Sequence, residues 1–401
     1  MGRTNKKGLY ALAFGTLGLG MTEFVLMGIL PYLAADLKIS ISTAGHFISA
    51  YAAGVCLGAP LLIFVGKQPL KRLLLLLVSI SALGSIGTVF SSSYGMMLLA
   101  RFVSGLPHGA YFGVASIVAK KLARQGQETK AVSIMIAGMT VANLLGVPLG
   151  TFLSIRISWR ATFILTALWN LITLFYIYRW VPSVEGVKIA SLRDQFRFLK
   201  SLAPWLLLLA TMFGNGGIFC WYSYINPLLV HLAGFSKNSI SIMMILAGIG
   251  MVAGNICGGR LSDYFSPGKT AALMQALAAI GLLMIFLFAE NGTLAVLLMV
   301  ICTFCLFAVS SPQQLLIINH SSGGELLGAA CIQVAFNLGN ALGAYFGGIP
   351  VGQGLGYQYP ALMGFPMAIL GALLLTGFVF RYEKNSSRQR KLFRPTKAQA
   401  S

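Results

Sequence analysis

Three side chains in this sequence carry chemistry that is costly where they lie. Glu23 sits in a run from Leu9 to Leu33 that is otherwise apolar apart from Thr16 and Thr22. Arg101 and His108 sit in a second apolar stretch, with Gly105 between them at i, i+4 and i+7, so the three share one helical face. A charge inside a bilayer costs about 3 kcal/mol even on insertion scales, so each intramembrane charge is a functional candidate. Glu23 lies about 10 residues from the outer end of its run, roughly 15 Å deep at helical rise. Arg101 lies about 7 residues in from Tyr94, roughly 10 Å deep. That difference is about one helical turn, which an Arg side chain bridges.

Two chemistries fit. Glu23 and Arg101 could form a static pair that stabilises the interior. Alternatively, a carboxylate that passes between a dry site and an Arg partner changes its proton affinity and can load and release a proton. Glu23 is the first choice for that role, because the other acids fall at span ends or in loops. His108 is either a packing residue or a proton relay, since imidazole titrates near neutral pH. Pro107, just before it, is expected to distort the backbone.

Uncharged polar residues recur in the other apolar stretches: Tyr51, Asn143, Asn215, Tyr222, Asn226, Asn255, Gln313, Gln314, Gln333, Asn337 and Asn340. Singly, each suits an interhelical hydrogen bond. Together they suggest a neutral, wet cavity, with Tyr51, Asn143, Asn215, Tyr222, Asn226, Gln333 and Asn337 as lining candidates. Phe213, Phe219, Trp221, Tyr222 and Tyr224 would supply aromatic walls. Such a lining suits sugars and amphiphilic drugs alike.

The elements that must position these groups follow from composition. The 401 residues are 57% hydrophobic and only 9% charged, with mean hydropathy +0.81. A soluble domain carries about 25% charged residues, so most of this surface must face lipid. The runs are long and lack the alternation of membrane strands, so the fold class expected is an all-α membrane protein. Twelve spans are expected, at 8–34, 43–66, 72–91, 94–119, 130–155, 159–180, 203–230, 238–262, 268–290, 292–318, 325–348 and 357–381. The basic N-terminus resembles a signal peptide, but the apolar run behind it is too long and has no small-residue cleavage site.

Polar sequence from Pro182 to Ser201 separates six spans from six. The expected organisation is a six-helix bundle over 1–181, a cytoplasmic linker over 182–202, a second bundle over 203–383 and a basic tail over 384–401. Phe196, Phe198 and Leu199 beside Asp194 suggest a short amphipathic helix in the linker. With both termini cytoplasmic, Lys38, Arg156, Arg160 and Lys237 are the basic residues of the outer segments and Arg101 lies within a span. All others of the 29 Lys and Arg fall inside. That bias sets the orientation and places the net charge of +20 beside anionic lipid rather than nucleic acid. All six cysteines fall in spans, and Cys302 and Cys305 read as free apolar thiols rather than a redox pair. No cofactor, metal cluster or enzymatic constellation is evident. Small residues recur every fourth position at Gly138, Ala142, Gly146 and Gly150, and at Gly339, Gly343 and Gly347, with Gly348 alongside. This spacing lets helix backbones approach closely in lipid.

Several segments resemble the major facilitator superfamily in its twelve-span drug:proton antiporter branch. "GLGMTEFVLMGILPYLAADL" (18–37) is similar to that branch's first-span motif, and "RFVSGLPHGAYFGVAS" (101–116) to its fourth-span motif. "GMTVANLLGVPLGTFLS" (138–154) followed by "SWRATF" (158–163) is similar to the fifth-span antiporter motif. The second-half segments "GELLGAA" and "AFNLGNALGAYFGG", within 324–348, resemble arabinose-inducible (AraJ-type) sugar and drug efflux permeases.

The resemblance implies an inner-membrane, proton-coupled exporter that works by alternating access, with Arg101 tuning the proton site and Gly146, Pro148 and Gly150 as the conformational motif. It implies a small-molecule substrate, a sugar or a drug such as chloramphenicol, and a chain that functions as a monomer. An uptake symporter or a uniporter is the alternative. Two departures stand out. The loop between spans two and three, "FVGKQPLKRLL" (64–74), lacks the family's Asp, whereas "GGRLSDYFSPGK" (258–269) keeps it, which leaves Arg260 and Asp263 as the expected cytoplasmic gate. Val147 also separates Gly146 from Pro148, where the family motif has them adjacent.

Overall fold

The first long apolar run becomes α1 (Lys6–Asp36), which starts where the Asn5 side chain accepts the Gly8 N–H at 2.9 Å. This satisfies one of the orphan donors at the helix start. The computed structural model describes residues 5–65, 68–124, 128–184, 196–322 and 325–383, and among these every regular element is helical. The chain continues through α2 (Ile41–Val65), α3 (Leu70–Phe90), α4 (Tyr94–Gly105), α5 (Pro107–Leu122), α6 (Glu128–Val141), α7 (Val147–Arg156) and α8 (Trp159–Trp180). Beyond the linker come α9 (Leu202–Tyr222), α10 (Ile225–His231), α11 (Ile240–Tyr264), α12 (Pro267–Phe288), α13 (Gly292–Asn319), α14 (Glu325–Gly352) and α15 (Tyr359–Phe378). Ten helical segments among the described residues are long and apolar enough to cross a bilayer. α2 and α14, at 25 and 28 residues, are also of spanning length. The chain is therefore a multi-pass membrane protein.

Three expected spans are interrupted. The fourth divides at Leu106 into α4 and α5, because Pro107 has no N–H to continue the ladder. The fifth contains a π turn at Ala142–Gly146 just before Pro148. A proline ring crowds the carbonyl four residues back, and the wider turn relieves that clash. The seventh breaks after Tyr222, and α10 resumes at Ile225. In the linker, 185–195, and with them part of the expected short amphipathic helix, lie outside the described residues, and the adjoining part forms one 3-10 turn at Arg197–Lys200. The tail over 384–401 also lies outside them.

Small residues decide which helices touch. Gly138, Ala142, Gly146 and Gly150 all face α1, against Ala13 and Thr16, Gly20, Met21 and Val25 respectively. On α14, a Cβ at Gly339, Gly343 or Gly347 would strike the carbonyl oxygen of Met212, Gly216 or Cys220 on α9. Gly348 faces the other way, towards Ser42 on α2 and Tyr224. α14 therefore lies between α9 and α2. Helices α1–α8 pack largely on one another, as do α9–α15, and the contacts between these sets run chiefly through α2 and α5 with α14, α7 and the π turn with α11, and α1 with α10.

This packing predicts a contrast between two glycines. Gly343→Val places side-chain atoms against backbone that cannot yield and should lose at least 1–3 kcal/mol of stability, on the order of known overpacking costs. Gly377, which has open space where a Cβ would stand, should accept Ala without loss. Thermal unfolding of detergent-purified protein compares the two, and equal midpoints would contradict the close-approach account.

Candidate proton and substrate site

Glu23 lies midway along α1 and is 4% exposed, while Arg101 and His108 are 0% and 1% exposed. Two features bring α4 and α5 close enough to reach it. The span is interrupted at Leu106, and Gly54, Gly58 and Gly105 let α2 lie directly on that break. A Cβ at Gly54 would collide with the Phe102 carbonyl, one at Gly58 with that of Leu106, and one at Gly105 with that of Tyr51. Tyr51 is thereby carried into the same site.

The resulting network is specific. His108 Nε2 stands 3.8 Å from Glu23 Oε2, and its Nδ1 is hydrogen-bonded to the Tyr51 hydroxyl at 2.7 Å. When the phenol donates to Nδ1, the ring proton sits on Nε2 and points at the carboxylate. The imidazole also stacks on Phe112 at 5.3 Å between centroids. Glu23 Oε1 accepts the amide N–H of Asn340, on α14, at 2.9 Å.

Arg101 does not form the contact ion pair with Glu23 that the matching depths suggested. Its Nη1 donates to the Thr22 carbonyl at 2.9 Å, and its guanidinium lies over the rings of Tyr51 and Phe163 at 4.7 and 5.7 Å. The carbonyl and the two aromatic faces hold the cation one residue short of the acid, leaving Nε and Nη2 buried without a partner. Arg101 still acts on Glu23 through its field.

Aromatic side chains surround this polar cluster. Phe24 packs on Phe219 and Phe307, each at 6.2 Å, and Phe219 packs on Phe336 at 5.6 Å and on Tyr222 at 6.1 Å. Of the aromatic residues expected as walls, Phe219 and Tyr222 on α9 pack together, joined by Phe24, Phe307 and Phe336 from α1, α13 and α14.

Of the seven lining candidates, Tyr51 is bonded within the Glu23 network. Asn226 donates to the Gly28 carbonyl and ties α10 to α1. Asn143 and Asn337 each donate to a carbonyl of their own helix, Met139 at 3.1 Å and Gln333 at 3.0 Å. Asn215 is buried with its Oδ1 unpaired. Arg260 lies exposed near the inner end of α11, and the Asp263 side chain lies outside the described residues. Asn340 is the residue that spacing alone did not single out, because an Asn on a Gly-rich helix looks like packing until its partner is known.

A second polar cluster lies where the end of α1 meets the end of α3 and the start of α8. Arg160 donates to Asp36 Oδ2 at 2.6 Å and to the carbonyls of Val89 and Ser91, each at 3.2 Å. Trp159 Nε1 donates to the same Asp36 oxygen at 3.2 Å. The "SWRATF" segment thus ties the ends of α1, α3 and α8 together.

The long apolar helices define a multi-pass membrane protein. Residues 12–330 match the Major Facilitator Superfamily, and the chain belongs to that family. It is 46% identical over 385 residues to a protein named "Putative transporter AraJ" from Escherichia coli (strain K12), covering 95% of this chain and 97% of that one. It is 28% identical over 379 residues to a chloramphenicol resistance protein of Streptomyces lividans, covering 93% and 96% of the two chains. The fold matches a solved D-xylose-proton symporter with TM-score 0.75 at 16% identity, over 94% of this chain and 98% of that chain.

The Arg160 clasp makes a prediction. Arg160→Lys keeps the charge but cannot reach three acceptors, and should cost about 1–2 kcal/mol from lost hydrogen bonds. Asp36→Asn removes a half-exposed ion pair worth under about 1 kcal/mol. Thermal unfolding of both variants tests the order, and a larger loss in Asp36→Asn would refute it.

Proposed function

We propose that this chain is a proton-coupled exporter of a small, neutral organic molecule, working by alternating access across the bacterial inner membrane. In this account, twelve spans form two six-helix halves, 1–181 and 203–383, joined by the 182–202 linker, with both termini cytoplasmic as the Lys and Arg bias directs. The observation that carries the reading is the Glu23 carboxylate, a buried acid bonded to Asn340 in the second half and facing His108 in the first. A proton arriving there alters contacts to both halves at once, and coupling needs that property.

Glu23 takes the proton. His108, oriented by Tyr51, passes it or shares it, and Arg101 biases the carboxylate by its nearby positive charge. The substrate binds against Phe24, Phe219, Phe307 and Phe336, next to Glu23 and Asn340. An aromatic wall beside a few polar groups suits a molecule with one apolar face and several hydroxyl or amide groups. Chloramphenicol has that character, and the resistance protein among the relatives supports this class. A pentose such as arabinose is the alternative. Val147 and Pro148, flanked by Gly146 and Gly150, keep the α7 end of the interface pliable, and Arg260 with Asp263 latches the cytoplasmic side. The chain carries a complete pathway and acts as a monomer.

The test uses proteoliposomes with an interior pH dye, adding chloramphenicol or arabinose to wild type and to Glu23→Gln. A substrate-dependent pH change that is present in wild type and absent in the variant is expected. Substrate movement without a pH change in either protein would make this a facilitator. Substrate accumulation in energised right-side-out vesicles would make it an uptake symporter.

A further inference from the structure

The contact between α2 and α14 has a regular register. Ser42 Oγ donates to the Gly348 carbonyl at 2.6 Å, Ser49 Oγ to that of Ala341 at 2.8 Å, and Cys56 Sγ to that of Val334 at 3.5 Å. The donors recur every seventh residue up α2 and the acceptors every seventh residue down α14. This is the pairing of two antiparallel helices in a left-handed crossing. Successive rungs are roughly 10 Å apart, so the ladder covers about 21 Å of the seam. The acceptors are backbone carbonyls, which a side-chain change on α14 does not remove.

Asn340 sits beside the middle rung, next to Ala341. Its Nδ2 reaches away from α2 to Glu23 Oε1 at 2.9 Å, and its Oδ1 is buried without a partner. The seam between α2 and α14 therefore cannot part at Ala341 without drawing Asn340 from Glu23. The groups facing Glu23 are Arg101 from α4, His108 from α5, Tyr51 from α2 and Asn340 from α14. Of these, Asn340 alone belongs to the second half.

We infer that Asn340 is the positioning residue that reports the charge state of Glu23 to the α2–α14 seam, and that it holds the empty, deprotonated carrier in the seam-closed state. The inference rests on proton coupling at Glu23. An ionised, buried carboxylate requires its donors, and a hydrogen bond to a charged group is about twice as strong as a neutral one. Bare Glu23 therefore fastens α14 in place. Protonation weakens the contact, and a bound substrate that takes over the Asn340 amide breaks it. The seam opens only when a proton or a substrate is aboard. An antiporter needs this restriction, because an empty, deprotonated carrier that reorients freely would export substrate without moving protons.

The test measures distances between spin labels at Ser92→Cys and Gln353→Cys, which stand on exposed positions at the outer ends of the two halves, on a transport-active background in which Cys56 is replaced by Ser, to keep the rung donor, and the other five native cysteines are removed. In the parent, the closed-seam population should rise with pH. Asn340→Ala should lower the closed-to-open ratio at high pH by about ten-fold, the factor carried by a hydrogen bond to a charged group. Asn340→Ser, which keeps a donor, should fall between them. In proteoliposomes, Asn340→Ala should move substrate with fewer protons per molecule. If Asn340→Ala keeps the parental pH response while Glu23→Gln abolishes it, the role assigned to Asn340 is wrong although Glu23 is still the proton site. If Glu23→Gln also keeps that response, proton coupling at Glu23 fails and the inference fails with it.

Discussion

A carboxylate held out of water needs polar partners, and in this protein the polar groups gathered around Glu23 come from four different helices. α5 brings His108, α14 brings Asn340, α2 brings Tyr51 to orient the histidine, and α4 brings Arg101 to supply a positive field. Lipid supplies no alternative donor. The arrangement of the helices around α1 is therefore tied to one oxygen pair, which makes Glu23 a structural keystone and is why the proposed function puts the proton there.

The second constraint is steric. Asn340 reaches Glu23, and Tyr51 reaches His108, only because the backbones beside them nearly touch. Gly54, Gly58 and Gly105 close α2 onto the α4–α5 break. Gly339, Gly343 and Gly347 close α14 onto α9. The hydrogen bonds at the α2–α14 seam end on carbonyl oxygens rather than interlocked side chains. Such contacts break and re-form at low cost, which suits the parting of this interface that the proposed function requires. The two interruptions at Pro107 and Pro148 have the same character. Each removes an N–H from a helix ladder at a point where the helix must bend.

Much of this was legible in the residues themselves. Apolar runs, the placement of Lys and Arg, and the i, i+4 small residues marked the helices and their contact faces. The position of Glu23, Arg101 and His108 within those runs marked the polar centre. The details that escaped share a physical cause. Whether an Arg pairs with a Glu or with a carbonyl and two rings depends on side-chain approach angles, and the sequence shows only depth. Asn340, Asn226 and Asn143 look alike as isolated amides. Their different partners, a carboxylate, a carbonyl on another helix and a carbonyl on their own helix, exist only once the helices are packed. The Arg160 clasp joins residues over 120 positions apart, beyond the reach of any local spacing rule.

The most direct measurement of the central claim is infrared difference spectroscopy of the reconstituted protein, with and without substrate, across a pH titration. A protonated carboxyl group inside a membrane protein gives a C=O stretch separate from that of ionised carboxylates. The account predicts that substrate shifts the titration of such a band, and that the band is missing from Glu23→Gln and perturbed in Asn340→Ala. A substrate-sensitive carboxyl band that persists unchanged in Glu23→Gln would show that the proton resides on another group, and would contradict the account at its centre.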